Sequence, residues 1–145
     1  MKAEPKPRVQ GRNPRTEDEA RAFVRYVESL FMPWNVDALL AGFTDDCVVK
    51  FGDLEEFGGK TALEKFFHAR SARQKGYRLR KEFRALAGDT IANYWEGWWT
   101  DAASGAAMTG RGVEIWIMRS GKIAVWEAAF NIKEAGTAGG AGVLR

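Results

Sequence analysis

Glu114 is the residue whose type and surroundings most strongly suggest chemistry. Strand alternation places Gly112, Glu114 and Trp116 on one side of a largely apolar predicted strand. Burial disfavours the charged form of a carboxylate, and a carboxylate held in such a site can act as a general base or acid. The alternative is a structural ion pair, with Lys81 or Arg111 as its partner.

Lys81 is the second candidate catalytic residue. Its predicted strand places it on the same face as Tyr77, Leu79 and Phe83. If that face points inward, the ammonium group would polarise a carbonyl or bind a carboxylate. The alternative is a long side chain that reaches back to solvent.

Aromatic side chains predict a ligand-binding pocket near these two residues. The chain contains 6 Trp and 9 Phe, and Gly97 between Trp95 and Trp99 would leave room for a ligand. Plain core packing would explain the same pattern. The candidate ligand-binding residues are Tyr26, Trp34, Trp95, Trp99, Trp116, Trp126 and Phe130.

A basic stretch occupies the third predicted helix. His68, the only histidine, lies among Lys65, Arg70, Arg73 and Lys75. Such a cluster is most often a solvated helix face, although an anionic headgroup would also fit it. We interpret it as solvated surface.

Helical spacing and helix caps predict the elements that must position these residues. A first helix, capped by Thr16, covers about residues 17–31, a short second helix follows Asn35, and a third begins near Thr61. A short strand precedes the third helix and four long strands follow it. The predicted strands are Cys47–Phe51, Tyr77–Leu86, Thr90–Thr100, Ala107–Met118 and Lys122–Ile132.

This order predicts an α+β fold with a cone-shaped, curved antiparallel sheet wrapped over three N-terminal helices. Internal glycines such as Gly97 and Gly112 favour bending of the long strands. A bent sheet closed by helices leaves a concave space, which is the physical reason to expect a central pocket.

Composition fits one domain and narrows its class. The 145 residues, 46% of them apolar, suffice for one core. We predict a disordered basic arm at residues 1–15, a folded domain at 16–133 and a flexible Gly-rich tail at 134–145. The net charge of +3 comes from the arm and tail, so nucleic acid is not an expected partner.

The same composition bears on compartment and cofactors. No apolar run approaches the roughly 20 residues of a membrane helix, and no secretory signal is apparent. A single cysteine, Cys47, fits a reducing cytoplasm. With one Cys and one His, the ligands of a structural zinc site are missing, and we predict neither metal nor cofactor.

A set of short stretches recurs in a recognisable order over residues 17–133. They are Trp34-Asn35, Phe57-Gly58-Gly59-Lys60, Tyr77-Arg78-Leu79 with Lys81-Glu82, Gly112 with Glu114 and Trp116, Ser120-Gly121-Lys122-Ile123, and Asn131. With the element order, they resemble the nuclear transport factor 2-like superfamily and its SnoaL-like domains, in particular an uncharacterised bacterial branch. The superfamily includes SnoaL-like cyclases, limonene epoxide hydrolases, ketosteroid isomerases and scytalone dehydratases. The resemblance implies a homodimer formed through sheet faces and a cofactor-free pocket at the centre of the cone.

The sequence departs from this superfamily at the last strand. Many members carry an inward-facing histidine and acid there, two residues apart. The matching positions here are Trp126 and Ala128, and Asn131 stands where an aspartate often closes the strand. Catalytic roles therefore cannot be transferred to these positions.

Three functions remain open at this stage. The first is a cofactor-independent dehydratase, isomerase, cyclase or hydrolase that acts on a small apolar or aromatic molecule, with Glu114 as the base. The second is a non-catalytic protein that binds a small hydrophobic ligand. The third is a dimerisation module whose aromatic sheet face serves mainly for association.

Overall fold

The computed structural model describes residues 11–140. Its helices are α1 (Glu17–Ser29), α2 (Val36–Ala41) and α3 (Lys60–Arg73). Its strands are β1 (Phe43–Phe51), β2 (Phe57–Gly58), β3 (Gln74–Ala87), β4 (Thr90–Asp101), β5 (Ala107–Arg119) and β6 (Lys122–Glu134).

The strands form one sheet in the order β2-β1-β6-β5-β4-β3. Strands β3 to β6 pair antiparallel in sequence order, whereas β1 pairs parallel with β6. Register irregularities interrupt the β3–β4 and β5–β6 ladders, and such irregularities bend strands. The predicted α+β fold with a curved sheet is confirmed. Two details differ: the sheet is mixed because of β1, and α3 lies between β2 and β3 along the chain.

Helix α1 covers the inner face of the sheet. The Thr16 hydroxyl accepts a hydrogen bond of 3.1 Å from the Glu19 backbone N–H, which is the predicted cap. Its buried residues recur at helical spacing and pack toward the core: Ala20, Phe23, Val24 and Val27. The rings of Phe23 and Trp116 on β5 meet edge to face, with centroids 5.5 Å apart.

Gly112 allows β5 and β6 to approach closely at the bend of the sheet. A Cβ at this position would lie 2.4 Å from the Ala129 carbonyl oxygen and 2.5 Å from Phe130 Cβ. No side chain fits at these distances, so the close approach of β5 and β6 at this point requires a glycine.

The two faces of the sheet differ in burial. The inner face carries Trp95 and Trp99 of β4, Trp116 of β5 and Trp126 of β6, and all four are buried. The outer face of β5 leaves Val113 54% exposed and Ile115 40% exposed. An apolar outer face on a central strand has no covering element within residues 11–140.

The ends of the chain fall partly outside the described residues. Residues 1–10 and 141–145 are not described, so the arm and tail remain predictions. Within the described part, Asn13 accepts a 2.8 Å hydrogen bond from the Gly121 backbone N–H and donates one of 2.8 Å to Asp89. Between residues 11 and 140, no helix combines the length and apolar character needed to cross a membrane.

Candidate functional site

Lys81 on β3 and Glu114 on β5 form an ion pair inside the domain. The Lys81 ammonium contacts Glu114 Oε1, and the two residues are 8% and 3% exposed. Trp126 Nε1 donates a 2.9 Å hydrogen bond to the other carboxylate oxygen of Glu114, Oε2. The structure therefore contains the ion pair that was the alternative interpretation of Glu114, with the predicted partner Lys81.

Strand register explains how two residues from non-adjacent strands meet. Across β4, Lys81 lies opposite Trp95, and Glu114 lies opposite Asn93. The lysine side chain is long enough to cross the intervening strand on the concave face. Glu28 on α1 accepts a 2.6 Å hydrogen bond from the Lys81 backbone N–H, which ties this part of β3 to the helix.

Burial changes the proton affinity of Lys81. Desolvation lowers the pKa of its ammonium group, and the nearby Glu114 carboxylate opposes that effect. Lys81 therefore gives up a proton more readily than a solvated lysine does. An ammonium of this kind, in contact with a carboxylate, can donate a proton or stabilise negative charge on a bound oxygen.

Asn93 adds an unsatisfied polar group beside Glu114. It is 1% exposed, and neither its Nδ2 nor its Oδ1 has a hydrogen-bond partner among the described residues. The Trp95 indole N–H is buried and likewise unpaired within residues 11–140. Buried polar atoms usually have partners, so the unpaired atoms of these two residues are unusual. Of the two, Trp95 lines a cavity beside the ion pair.

The interior around the ion pair is nearly filled. Two cavities of about 10 Å³ each adjoin Lys81, Glu114 and Trp126. A volume of this size holds about one water molecule. Trp95, Trp116 and Trp126 point inward and are buried, but a pocket large enough for a substrate stays a prediction.

Only some of the aromatic residues predicted to bind a ligand line the two cavities. Trp95 and Trp126 line the first of these cavities, and Trp116 lines the second. Phe130 is half-buried and packs against Phe51, with ring centroids 4.5 Å apart.

Trp99 and Gly97 do not provide the predicted ligand slot. Trp99 packs against the ring of Tyr77, with centroids 5.8 Å apart. A Cβ at Gly97 would lie 3.2 Å from the Tyr77 hydroxyl oxygen. The space above Gly97 is thus filled by Tyr77, a contact between strands that single-strand alternation does not reveal.

Tyr26 and Trp34 lie on a surface groove rather than in the interior. This groove has a volume of about 800 Å³ and also contains Pro33 and His68. The Trp34 ring packs against Tyr77 at 5.3 Å between centroids, so it separates the groove from the core. Tyr26 therefore lies at the periphery of the domain, and its predicted role in ligand binding stays a prediction.

Arg70 is a site residue that the sequence analysis missed. It projects from α3 into the first cavity, where its Nε donates a 2.8 Å hydrogen bond to Gln74 and its Nη2 donates one of 3.3 Å to the Tyr77 hydroxyl. The interpretation of the whole basic stretch as solvated surface is wrong for this residue. A sequence signal existed, because Arg70 lies three and seven positions after Phe67 and Leu63, which are buried residues of the same helix.

Metal ligands do not gather in the described part of the chain. Among residues 11–140, no group of three or more His, Cys, Asp and Glu side chains is placed to hold a metal ion. Cys47 is a buried free thiol whose pKa is raised by burial.

These observations define the class of the protein. An unclosed, curved sheet with helices against its concave face and polar groups at its centre is an α+β cone of the nuclear transport factor 2-like type. The family model described as SnoaL-like domain matches residues 15–126, and the chain belongs to this family. No curated protein matches the sequence.

Solved structures share the fold at low sequence identity. A candidate polyketide cyclase from Xanthomonas campestris pv. campestris is 17% identical with a TM-score of 0.70, over 77% of this chain and 90% of that one. The epoxide hydrolase/cyclase-like enzyme SalBIII, from pyran ring formation in salinomycin, is 15% identical with a TM-score of 0.72, over 81% and 97%. An epoxide hydrolase of M. tuberculosis is 13% identical with a TM-score of 0.62, over 79% and 84%.

Proposed function

We propose that this protein is a cofactor-independent enzyme of the dehydratase, isomerase, cyclase or hydrolase type, acting on a small apolar or aromatic molecule. Glu114 is the proposed general base and Lys81 its electrostatic partner. The cyclase and epoxide hydrolase descriptions of proteins with the same fold support this class of reaction.

The burial of a charged pair in an aromatic core carries the proposal. Removing two charges from water costs several kcal/mol per ion, and well-packed apolar residues often stabilise a core equally well. The Lys81–Glu114 pair instead adjoins two cavities and the unpaired amide of Asn93. Chemistry that needs a proton acceptor beside a cation accounts for this arrangement.

The pair can divide the work of a proton transfer. With a hydroxy-ketone, the Glu114 carboxylate would take a proton from the carbon next to the carbonyl, and the electron pair would move onto the carbonyl oxygen. The Lys81 ammonium would stabilise that enolate oxygen. In a 2-hydroxy-ketone, the hydroxyl proton would pass to the enolate oxygen and Glu114 would return its proton to the former carbonyl carbon, which gives isomerisation. In a 3-hydroxy-ketone, the enolate would re-form the carbonyl and expel the hydroxyl, which takes the proton from Glu114 and leaves as water. Because the cavity beside the pair holds about one water molecule, half-buried rings that line it, such as Phe51, must move to admit such a substrate.

The experiment compares turnover in two glutamate variants. We expect Glu114→Gln to lose at least about a hundredfold in kcat on hydroxy-ketones or epoxides. A loss of this size is the usual minimum for removal of a general base. Glu127→Gln is the matched control, because Glu127 lies on the outer face, 38% exposed, in an ion pair with Lys50. Circular dichroism must show both variants folded. Unchanged turnover in folded Glu114→Gln would remove Glu114 from the mechanism.

A non-catalytic ligand-binding protein is the second candidate. Both Glu114 oxygens already have partners, Lys81 and Trp126, and this favours a structural role for the carboxylate. The histidine and acid expected on the last strand are replaced by Trp126 and Ala128. Native mass spectrometry with a library of aromatic compounds tests this candidate: binding without turnover of any bound compound supports it, and no binding contradicts it.

We also propose a homodimer that uses the outer face of the sheet. Val113, Ile115 and Ile117 form an exposed apolar stripe along β5. Ile115→Asp should convert the dimer to a monomer in sedimentation velocity. Ile132→Asp is the control, because Ile132 is similarly exposed at 45% but pairs with Gly110 on the opposite face. A wild-type monomer at micromolar concentration would contradict the dimer.

A further inference from the structure

The side chains around the first cavity carry an unbalanced charge. The cavity is lined by two cations, Arg70 and Lys81, and by one carboxylate, Glu114. Tyr77 also lines it, but burial raises the pKa of this phenol, so it stays neutral at physiological pH. The ion pair of Lys81 and Glu114 neutralises itself, which leaves the positive charge of Arg70.

Arg70, unlike Arg73 and Arg80, has no carboxylate partner among residues 11–140. Arg73 pairs with Asp101 at 2.7 Å, and Arg80 pairs with Glu96 at 3.1 Å. No Asp or Glu within residues 11–140 forms an ion pair with Arg70, whose partners are the neutral groups of Gln74 and Tyr77. No anion contacts the Arg70 guanidinium directly. Burial lowers its pKa, and Tyr77 and, more weakly, Glu114 oppose that effect.

Aromatic rings enclose the Arg70 guanidinium without satisfying its hydrogen bonds. Its central carbon lies 5.1 Å from the ring centroids of Trp34 and Phe51, and 5.6 to 5.7 Å from those of Phe31, Phe66 and Tyr77. An arginine has five N–H groups, and two of them donate to Gln74 and Tyr77. The other three have no acceptor among the described residues.

The position of Arg70 connects it to both the mouth of the cone and the ion pair. The rings of Phe51 and Phe66, which flank Arg70, and of Phe130, which packs on Phe51, are only half-buried, so this part of the core is partly open to solvent. Arg70 and Lys81 face the same ring, Phe31, at 5.7 and 5.9 Å from its centroid. The cavity itself holds about one water molecule, so half-buried rings such as Phe51 must move before a molecule held by Arg70 can extend toward Glu114.

We propose that Arg70 binds the carboxylate of a small aromatic or apolar acid. A carboxylate accepts two parallel N–H bonds from a planar guanidinium, and one negative charge balances the single excess positive charge. A phosphate monoester, with nearly two negative charges, would overcompensate it. The inference adds a substrate class to the proposed function. It rests on that function only where it takes the bound acid to be the substrate.

The test measures binding of matched acid and amide pairs by isothermal titration calorimetry. The probes are benzoate, cinnamate and 2-naphthoate, each compared with its uncharged carboxamide. We expect at least one acid to bind wild-type protein at least about tenfold more tightly than its amide. Equal affinity within every pair, or no binding of any acid, would overturn the proposal without the need for a variant.

Two variants then test whether the preference for the acid over its amide depends on Arg70. Arg70→Gln should bind acid and amide with nearly equal affinity. Arg78→Gln removes the same charge from an exposed position on β3 and should keep the wild-type preference. Equal loss in both variants would overturn the assignment to Arg70. If Arg70→Gln does not fold, Arg70→Lys replaces it, and it should weaken the preference because a lysine cannot form the paired bonds. A preference unchanged in that variant would also overturn the assignment.

The outcomes separate this inference from the proposed function. Selective binding of the acid without turnover of any compound would support the Arg70 site and count against the enzyme. Turnover of neutral hydroxy-ketones, together with equal binding of acids and amides, would support the enzyme and overturn the Arg70 site.

Discussion

The ammonium group of Lys81 on β3 and the carboxylate of Glu114 on β5 meet across the intervening strand β4, inside the core. Neither residue reaches bulk solvent, so each depends on the other for charge compensation. Trp126 completes the arrangement by donating to the second oxygen of Glu114.

Because Lys81 and Glu114 compensate each other's charge, the effects of replacing them on the free energy of unfolding should not be additive. Lys81→Met and Glu114→Gln should each lower the free energy of unfolding by about 3–5 kcal/mol, since each leaves one polar or charged partner buried and unpaired. The double variant should recover most of that loss. Urea unfolding followed by circular dichroism measures all three values, and strictly additive losses would contradict the coupling.

The sequence correctly predicts the secondary-structure elements that have strong local signals. The four long strands were predicted within three residues at each end, because apolar alternation and glycine turns mark them directly. The start of β1 was missed because Thr44, Asp45 and Asp46 are polar and resemble a loop. The parallel pairing of β1 with β6 has no local signal, since it joins segments about 75 residues apart.

The candidate site was only partly predictable, because contacts between segments that are distant in the sequence leave no local signal. The partnership of Lys81 with Glu114 could be named as an alternative because both residues interrupt apolar faces. Tyr77 filling the space above Gly97 depends on strand pairing and ring orientation, which alternation does not specify. Arg70 was hidden by the basic residues around it on α3, although its spacing from Leu63 and Phe67 placed it on the buried side.

The Trp126 hydrogen bond can be separated from the packing of its ring. Trp126→Phe removes the donor to Glu114, and bonds to charged groups contribute about 1.5–3 kcal/mol. Trp95→Phe is a matched control, because Trp95 is also 5% exposed but its indole N–H has no partner within residues 11–140. The Trp126 variant should be less stable than the Trp95 variant by about 1.5–3 kcal/mol. Equal stability of the two variants would show that the bond contributes little.

Gly112 is predicted to tolerate no side chain. Gly112→Ala should lower the free energy of unfolding by about 1–3 kcal/mol, since its Cβ would meet backbone and side-chain atoms of β6 at 2.4–2.5 Å. Gly42→Ala is the control, because the nearest atom to a Cβ there lies at 3.4 Å. Thermal unfolding of both variants measures the difference, and equal melting temperatures would contradict the close approach of β5 and β6.

The lowered pKa of Asp101 predicts that the folded protein loses stability in acid. Hydrogen bonds from Arg73 and Ser104 lower the pKa of Asp101 from 3.8 to about 2. Because the folded-state pKa lies below the unfolded one, this stabilisation is present above about pH 4 and is lost as the pH falls toward about 2. Melting temperatures across this range should fall less steeply for Asp101→Asn than for the wild type. Asp53→Asn, at an exposed position, should follow the wild-type curve.

Turnover by the Lys81→Met/Glu114→Gln double variant tests the catalytic role of the ion pair most directly. This variant removes both charges together and so avoids the unpaired partner that destabilises each single variant. The account predicts a folded protein, with a melting temperature near that of the wild type, that has lost at least about a hundredfold in kcat. A folded double variant with wild-type turnover would contradict it and leave the buried pair a purely structural role.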